Sequence, residues 1–292
     1  VKDMTERHDD LDLAGSMLLR APSLEMTGKD VWALREAAPL IAPGTRINVT
    51  FLGNEDRPMR VGAAKAVADA GFTPVPHVAA RRMASTAEFA EFLDALRSEA
   101  GSMRLFAVAG DPAEPMGPYA SSLDLIRSGL PAEHGFTEVS IAGYPSGHRH
   151  LSEAQLWEFL EAKVAALREQ GLTGSILTQF GFDSVPVLDW IREVRARGID
   201  LPIRIGVPGP AGVKRLLAYA SRFGVASSAS IARTYGFSLT NLLGTAGPER
   251  MIRDLDAGLG ADTGDVALHV YTFGGVLATA RWIAQHRPTE PV

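Results

Sequence analysis

The chain has no cysteine among its 292 residues. Disulfides, thiolate nucleophiles, iron–sulfur clusters and cysteine-ligated zinc are therefore excluded within it, and a reducing compartment suits it. No run is long and apolar enough to span a bilayer: the segment Met103 to Ala109 has only the length of a strand and stops at Gly110-Asp111. There is no basic face either. The formal net charge is −5, with acids and bases interspersed, so nothing is set up to neutralise nucleic-acid phosphates. Val1 to Asp12 is rich in charge and lacks the apolar run of a signal peptide. These absences point to a cytoplasmic protein with neither membrane nor nucleic acid as partner.

What the sequence does contain is an ordinary core composition, 46% hydrophobic against 22% charged. Eight short apolar, β-branched runs read as strands: Met17–Glu25, Thr45–Leu52, Phe72–Val78, Arg104–Ala109, Glu138–Ala142, Gly174–Phe180, Leu201–Val207 and Ala267–Phe273. Between them lie amphipathic segments with apolar spacing of three and four, namely Val31–Ile41, Arg60–Ala70, Ala87–Ala100, Ser152–Gln170 and Val185–Arg197. Gly71, Gly101, Gly171 and Gly198 stand where those helices should stop. Such alternation implies a parallel sheet with right-handed crossovers. Eight units in this length favour a single-domain (β/α)8 TIM barrel over residues 1–292, with 1–14 a flexible or helical extension. An open dinucleotide-binding sheet would want a Gly-rich turn after its first strand, and Met-Thr-Gly-Lys-Asp follows Glu25 instead. The last crossover, Arg222 to Asp265, is the longest and should hold extra helices such as Gly247–Gly260.

In a barrel of this kind the residues after each strand's carboxyl end face the catalytic mouth. Those positions are Glu25, Thr50, His77, Gly110-Asp111, Gly143-Tyr144-Pro145-Ser146-Gly147-His148, Thr178 to Asp183, Pro208-Gly209-Pro210 and Tyr271 to Gly275. Glu25 closes an otherwise apolar segment, so desolvation should raise its pKa and leave it a proton donor near neutral pH. The plainer reading is a salt-bridged strand-end carboxylate. Asp111, between Gly110 and Pro112, could equally be a turn residue bonded to its own backbone. Lys163 shares the apolar stripe of its helix with Leu156, Leu160 and Leu167, and a cation there wants an anion such as a cofactor phosphate; snorkelling is the alternative. His148-Arg149-His150 has the spacing of a metal pair but no accompanying carboxylates, so no metal is expected.

Taken together the strand ends resemble those of the methylenetetrahydrofolate reductase family. The elements, in order, are Leu24-Glu25, Pro76-His77-Val78, Ala109-Gly110-Asp111-Pro112, Tyr119-Ala120-Ser121, Ala142-Gly143-Tyr144-Pro145 with His148, Thr178-Gln179-Phe180 with Phe182-Asp183, Ile205-Gly206-Val207-Pro208 and His269-Val270-Tyr271-Thr272. The resemblance implies flavin adenine dinucleotide (FAD) across the barrel mouth, lined by Thr50, His77, Gly110, Asp111, Tyr119, Ala120, Tyr144, His148 and Lys163. It implies Glu25 as the general acid that opens the imidazolidine ring of 5,10-methylenetetrahydrofolate, and Asp111 as a second catalytic group bonded to the pterin. Gln179 and Tyr271 would contact folate or nicotinamide. NADH or NADPH would supply hydride in a ping-pong cycle that yields 5-methyltetrahydrofolate, a step of one-carbon metabolism and methionine biosynthesis. Self-association into a homo-oligomer is compatible with it. The chain departs from the family's usual pattern at Ala109, where an Arg is usual, at Ser146, near Leu156 and Trp157, and at Gly274-Gly275, where an Asn-Arg pair is usual. Two other readings compete: a phosphate-binding barrel enzyme without flavin, built on Gly206–Gly212, Gly274-Gly275 and a helix begun by Pro210, and a flavin-free folate binder.

Overall fold

A computed structural model describes residue 13, residues 15–223 and residues 245–287 of the chain. The expected extension over 1–14 therefore lies almost wholly outside the described residues. Eight parallel strands close into one barrel: β1 (Ser23–Met26), β2 (Arg46–Val49), β3 (Thr73–Ala79), β4 (Arg104–Val108), β5 (Glu138–Gly143), β6 (Ile176–Thr178), β7 (Ile203–Pro208) and β8 (Val266–Tyr271). They neighbour each other in chain order, and β8 pairs with β1 through Ser23 opposite His269 and Leu24 opposite Val270. The foreseen TIM barrel is the fold.

Among the described residues the helices are α1 (Val31–Ala37), α2 (Arg57–Asp69), α3 (Thr86–Ala100), α4 (Ser122–Arg127), α5 (Leu130–Glu133), α6 (Glu153–Glu169), α7 (Ser184–Ala196), α8 (Val213–Phe223), α9 (Glu249–Gly258) and α10 (Val276–His286). Their ends follow local chemistry. Asp56, Ser85, Ser121, Ser152 and Asp183 each cap a helix N-terminus with a side-chain oxygen, and Gly101 ends α3 in the left-handed region at φ 59°. Period-two alternation then sorts each strand. Leu24, Met26, Ile47, Val49, Leu105, Ala107, Val139, Ile141, Ile203, Ile205, Val207, Leu268 and Val270 all join the main core between barrel and helices. Their alternates point into the barrel.

Most element ends lie within three residues of expectation, and three places differ in kind. Met17–Leu19, apolar enough to read as strand, is a 3-10 turn ahead of β1. Pro210 does not start a helix; Ala211–Gly212 pairs antiparallel with Thr245–Ala246, and α8 begins only at Val213. Val31–Ile41 breaks at Ala38, where a 3-10 turn over Ala38–Leu40 with Pro39 takes over.

Candidate active site

The inward alternates divide the barrel interior into two polar ends. At the amino-terminal end of the strands Arg46, Arg104 and Glu138 form an ion cluster, with Arg204 beside it. Toward the mouth stand Glu25, Asn48, His77, His269 and Tyr271, while Val75, Phe106 and Leu177 make a small apolar cluster of their own. A buried acid among imidazoles and a phenol is the chemical centre of the mouth.

Glu25 is held by its backbone as well as by its strand: the Thr272 hydroxyl donates to its carbonyl at 2.9 Å. Burial raises the pKa of its carboxyl; His77 pulls the other way and Asp30 adds to the rise. Both neighbouring imidazoles are neutral. Burial takes His77 down to about 4, opposed by Glu25, and takes His269 down to about 3, reinforced by Arg204 and Arg46. The amide of Asn48 bonds His77 Nε2 at 3.2 Å, so the ring takes its proton on Nδ1, and its face meets Phe106 edge-on.

Ser23 Oγ lies 2.9 Å from His269 Nδ1 and 3.2 Å from the Leu268 carbonyl, which ties the ring to β1. His269 Nε2 is fully buried and without a hydrogen-bond partner, 3.9 Å from Glu25 Oε2. Tyr271 completes the group. Its hydroxyl donates to the Thr178 carbonyl at 3.1 Å, and burial, with Glu25 and Tyr144 nearby, pushes its pKa well above the usual phenol value. This arrangement can hold a proton on Glu25 and keep every neighbour from taking it.

A second feature lies between β4, β5, α4 and α6. A cavity of about 190 Å³ is walled by Ala120, Ala142, Tyr144, Leu156, Phe159, Leu160, Arg81 and Lys163, among others. Lys163 is buried, as its place on the apolar stripe of α6 predicts, and burial lowers its pKa to about 8. Its ammonium donates to the Ala142 carbonyl at 3.2 Å and is in no ion pair among the described residues. Arg81 braces the opposite loop, with hydrogen bonds to the carbonyls of Ala120 and Pro112 at 2.8 and 3.2 Å. A desolvated cation without an anion is a costly thing to keep.

The other expected residues are distributed as follows. Thr50 continues β2, with its N–H on the Met26 carbonyl at 2.9 Å and its hydroxyl buried without a partner. Gly110 adopts φ 92°, and Asp111 turns outward: 73% of its side chain is exposed, and both its oxygens are bonded by Arg82 at 2.7 and 2.8 Å, which lowers its pKa. Tyr119 is packed in the core against Phe89, its hydroxyl 3.3 Å from Thr86. His148 sits edge-on to Tyr144 at 5.2 Å between centroids. Gln179 folds back onto the Phe180 N–H at 3.2 Å. Glu25, His77, Tyr144 and Tyr271 thus share one electrostatic neighbourhood, Tyr144, Ala120 and Lys163 one cavity wall, and Asp111 neither. Ser23, Asn48, His269 as a site residue, and Arg81 were not singled out from the sequence; polar residues at every second position of β1 and β2 were the available signal.

The model of the family described as methylenetetrahydrofolate reductase matches residues 34–231, more than half of the chain. A yeast protein named methylenetetrahydrofolate reductase 2, from Saccharomyces cerevisiae, is 27% identical over 200 residues, which is 61% of this chain but only 31% of that relative. Among solved structures, a Clostridium thermocellum protein described as binding two copies of 5-methyl-5,6,7,8-tetrahydrofolic acid superposes with a TM-score of 0.62 at 9% identity, over 91% of this chain and 93% of its own. Dihydropteroate synthase from Thermus thermophilus gives 0.49 at 16% identity, over 91% and 94%.

Proposed function

Since the chain belongs to the methylenetetrahydrofolate reductase family, we propose that it interconverts 5,10-methylenetetrahydrofolate and 5-methyltetrahydrofolate, with Glu25 as the general acid. The observation that carries this reading is the desolvation of one carboxyl, Glu25, at the barrel mouth. Opening the methylene bridge needs a proton on a folate nitrogen, and Glu25 is a buried carboxyl with its pKa raised, beside imidazoles too desolvated to compete for the proton. A placed acid of this kind contributes roughly 10²–10⁴ in rate. Tyr271, aligned by Thr178, and Gln179, at the end of β6, offer polar groups toward the substrate. Asp111 would serve the pterin only after exchanging its Arg82 contact.

The residues present fit the anionic part of a dinucleotide. Lys163 is an uncompensated cation, Thr50 an orphaned hydroxyl, and Tyr144 and Ala120 share the wall that holds Lys163. These four would hold FAD, with His77, Gly110 and His148 shaping the rim and Tyr119 supporting it from the core. Bound there, the flavin would accept hydride from NADH or NADPH and deliver it to the folate carbon. The role of the chain is to align, to exclude water and to keep the proton on Glu25.

A second reading, a folate-binding barrel without resident flavin, is favoured by the size of the cavity at Lys163: about 190 Å³, below the roughly 300–1,000 Å³ common for cofactor-sized ligands. The visible spectrum of the purified protein separates the two. A yellow chromophore that bleaches on anaerobic addition of 5-methyltetrahydrofolate is the expected result. Colourless protein that still binds the folate would sink the flavin assignment, and a chromophore indifferent to folate would sink the substrate.

A further inference from the structure

The floor of the barrel carries more positive charge than its own carboxylates answer. Arg46 and Arg104 open β2 and β4, Glu138 opens β5, and Arg204 is the second residue of β7. Glu138 is in ion pairs with Arg46 and Arg104. Arg204 has no such contact: among the described residues its side chain is in no hydrogen bond and no ion pair. Its Nε is buried without a partner, and so is that of Arg46. The charges of Glu138 and Asp265 reach Arg204, and those of Arg46 and Arg104 reach it with the opposite sign. Three guanidiniums therefore face two carboxylates, an excess of one positive charge.

The surroundings suit an ion. Alternation along β7 sends Ile203 and Ile205 outward into the main core and Arg204 inward. One inward position above Glu138, the Ser140 and Ser175 hydroxyls lie 2.8 Å apart, so the interior is polar at this level. Arg46 and Arg104, with 18% and 40% of their side chains exposed, leave the cluster a way out to solvent. The floor is also within electrostatic range of the mouth. Arg204 pairs in register with Ala267, and Gly206 with His269, a step of two residues or about 7 Å along the strands. The charges of Arg204 and Arg46 both reach the His269 ring.

We propose that this floor binds one small monovalent anion, of the size of chloride, against Arg204 and Arg46. A guanidinium withdrawn from water without a counterion is costly, and charge-assisted N–H bonds to an anion offset that cost. Burial brings the Arg204 pKa down to about 10, so the group stays charged at neutral pH and keeps its need for a partner. An excess of one charge selects a monovalent ion over sulfate or phosphate. The site is separate from Glu25 and from the Lys163 cavity, and it does not depend on the folate reading.

The test is the Tm of the full chain titrated with bromide or chloride, gluconate holding the ionic strength constant, together with anomalous diffraction from crystals grown in bromide. Each titration is read as the difference between wild type and Arg204→Met, which removes the general influence of salts on folding. The expected difference is a saturable rise of about 3 °C by about 200 mM halide, with one bromide in contact with Arg204. Should Arg204→Met fail to fold, Arg204→Lys, which keeps the charge but loses the Nε donor, should move the midpoint to higher halide. Glu138→Gln, with one carboxylate fewer, should reach the same rise at lower halide. A rise that is the same in wild type and in the Arg204 variants overturns the inference, as does a water molecule in place of bromide. Bromide in the crystal without a saturable rise in Tm means an adventitious ion only, and overturns it too.

Discussion

At the scale of single residues, the site depends on groups whose charge is set by where they are buried. Glu25 contributes stability that is complete below its unfolded value of 4.5 and is lost as pH rises through its raised folded value. Glu25→Gln removes that loss. The variant should therefore melt higher than wild type at pH 8, with the two Tm values converging near pH 4. Over the same substitution, folate turnover should fall by about 10²–10⁴, while transfer of electrons from NADH to an artificial acceptor persists. Equal loss of both activities, or a Tm gap that ignores pH, would refute the acid role. Glu25 and Lys163 were legible in the sequence because each breaks a local pattern, an acid ending an apolar run and a cation on an apolar stripe. His269 and Ser23 were not, because their meaning lies in a pairing across β8 and β1, 246 positions apart. Asp111 was legible as a position but not as a state, since its ion pair with Arg82 depends on where a neighbouring loop leaves that guanidinium.

Among the elements, those with strong periodicity were readable: the seven later strands, the long helices α2, α3, α6 and α7, and α9 in the last crossover. The failures share a cause. Met17–Leu19 is apolar without alternation, and a three-residue run does not distinguish strand from turn. α4 is six residues long, too short for its periodicity to register, yet it helps shape the site. Its cap is where the link to function runs: Ser121 Oγ accepts from the Asp124 N–H, and Asp124 Oδ2 takes the N–H groups of Ser121 and Ala120 at 2.8 and 3.0 Å. Ala120 in turn bonds Arg81 and walls the Lys163 cavity. Ser121→Ala should cost about 1 kcal/mol of stability by chemical denaturation. If the wall holds a cofactor, the same variant should raise the Kd for FAD about threefold with the spectrum of the bound form unchanged. A stability loss with unaltered cofactor affinity would detach α4 from the site.

For the whole molecule, the barrel sets two largely buried carboxyls at opposite ends with opposite electrostatics, and pH can tell them apart. Glu138, at the amino-terminal end, is held by Arg46 in a two-pronged contact and by Arg104 Nε at 3.0 Å, with Arg204 close enough to be affected by its charge. Burial would raise its pKa, but the hydrogen bonds and charges of Arg46 and Arg104 bring it below the usual value. Arg204 is depressed to about 10, by burial first and then by Arg46. Glu138 therefore ties Arg46 and Arg104 together where β2, β4 and β5 begin, and its charge, with that of Asp265, also reaches Arg204 on β7. Glu138→Gln leaves Arg46 and Arg104 without their anion, which should cost about 3 kcal/mol at neutral pH, the usual scale for breaking a buried pair from one side. The sign runs against that of Glu25: Glu138 stabilises above its unfolded value of 4.5, and its contribution disappears as pH falls through the lower folded value. The deficit of Glu138→Gln should therefore be full at pH 7 and vanish toward pH 3, whereas the gain of Glu25→Gln grows with pH. Because the amino-terminal end of a barrel serves stability and the mouth serves chemistry, folded Glu138→Gln should keep wild-type KM for folate. A raised KM, or a deficit that persists in acid, would mean that the ion cluster reaches the mouth through Arg204 and His269 rather than simply closing the barrel beneath it.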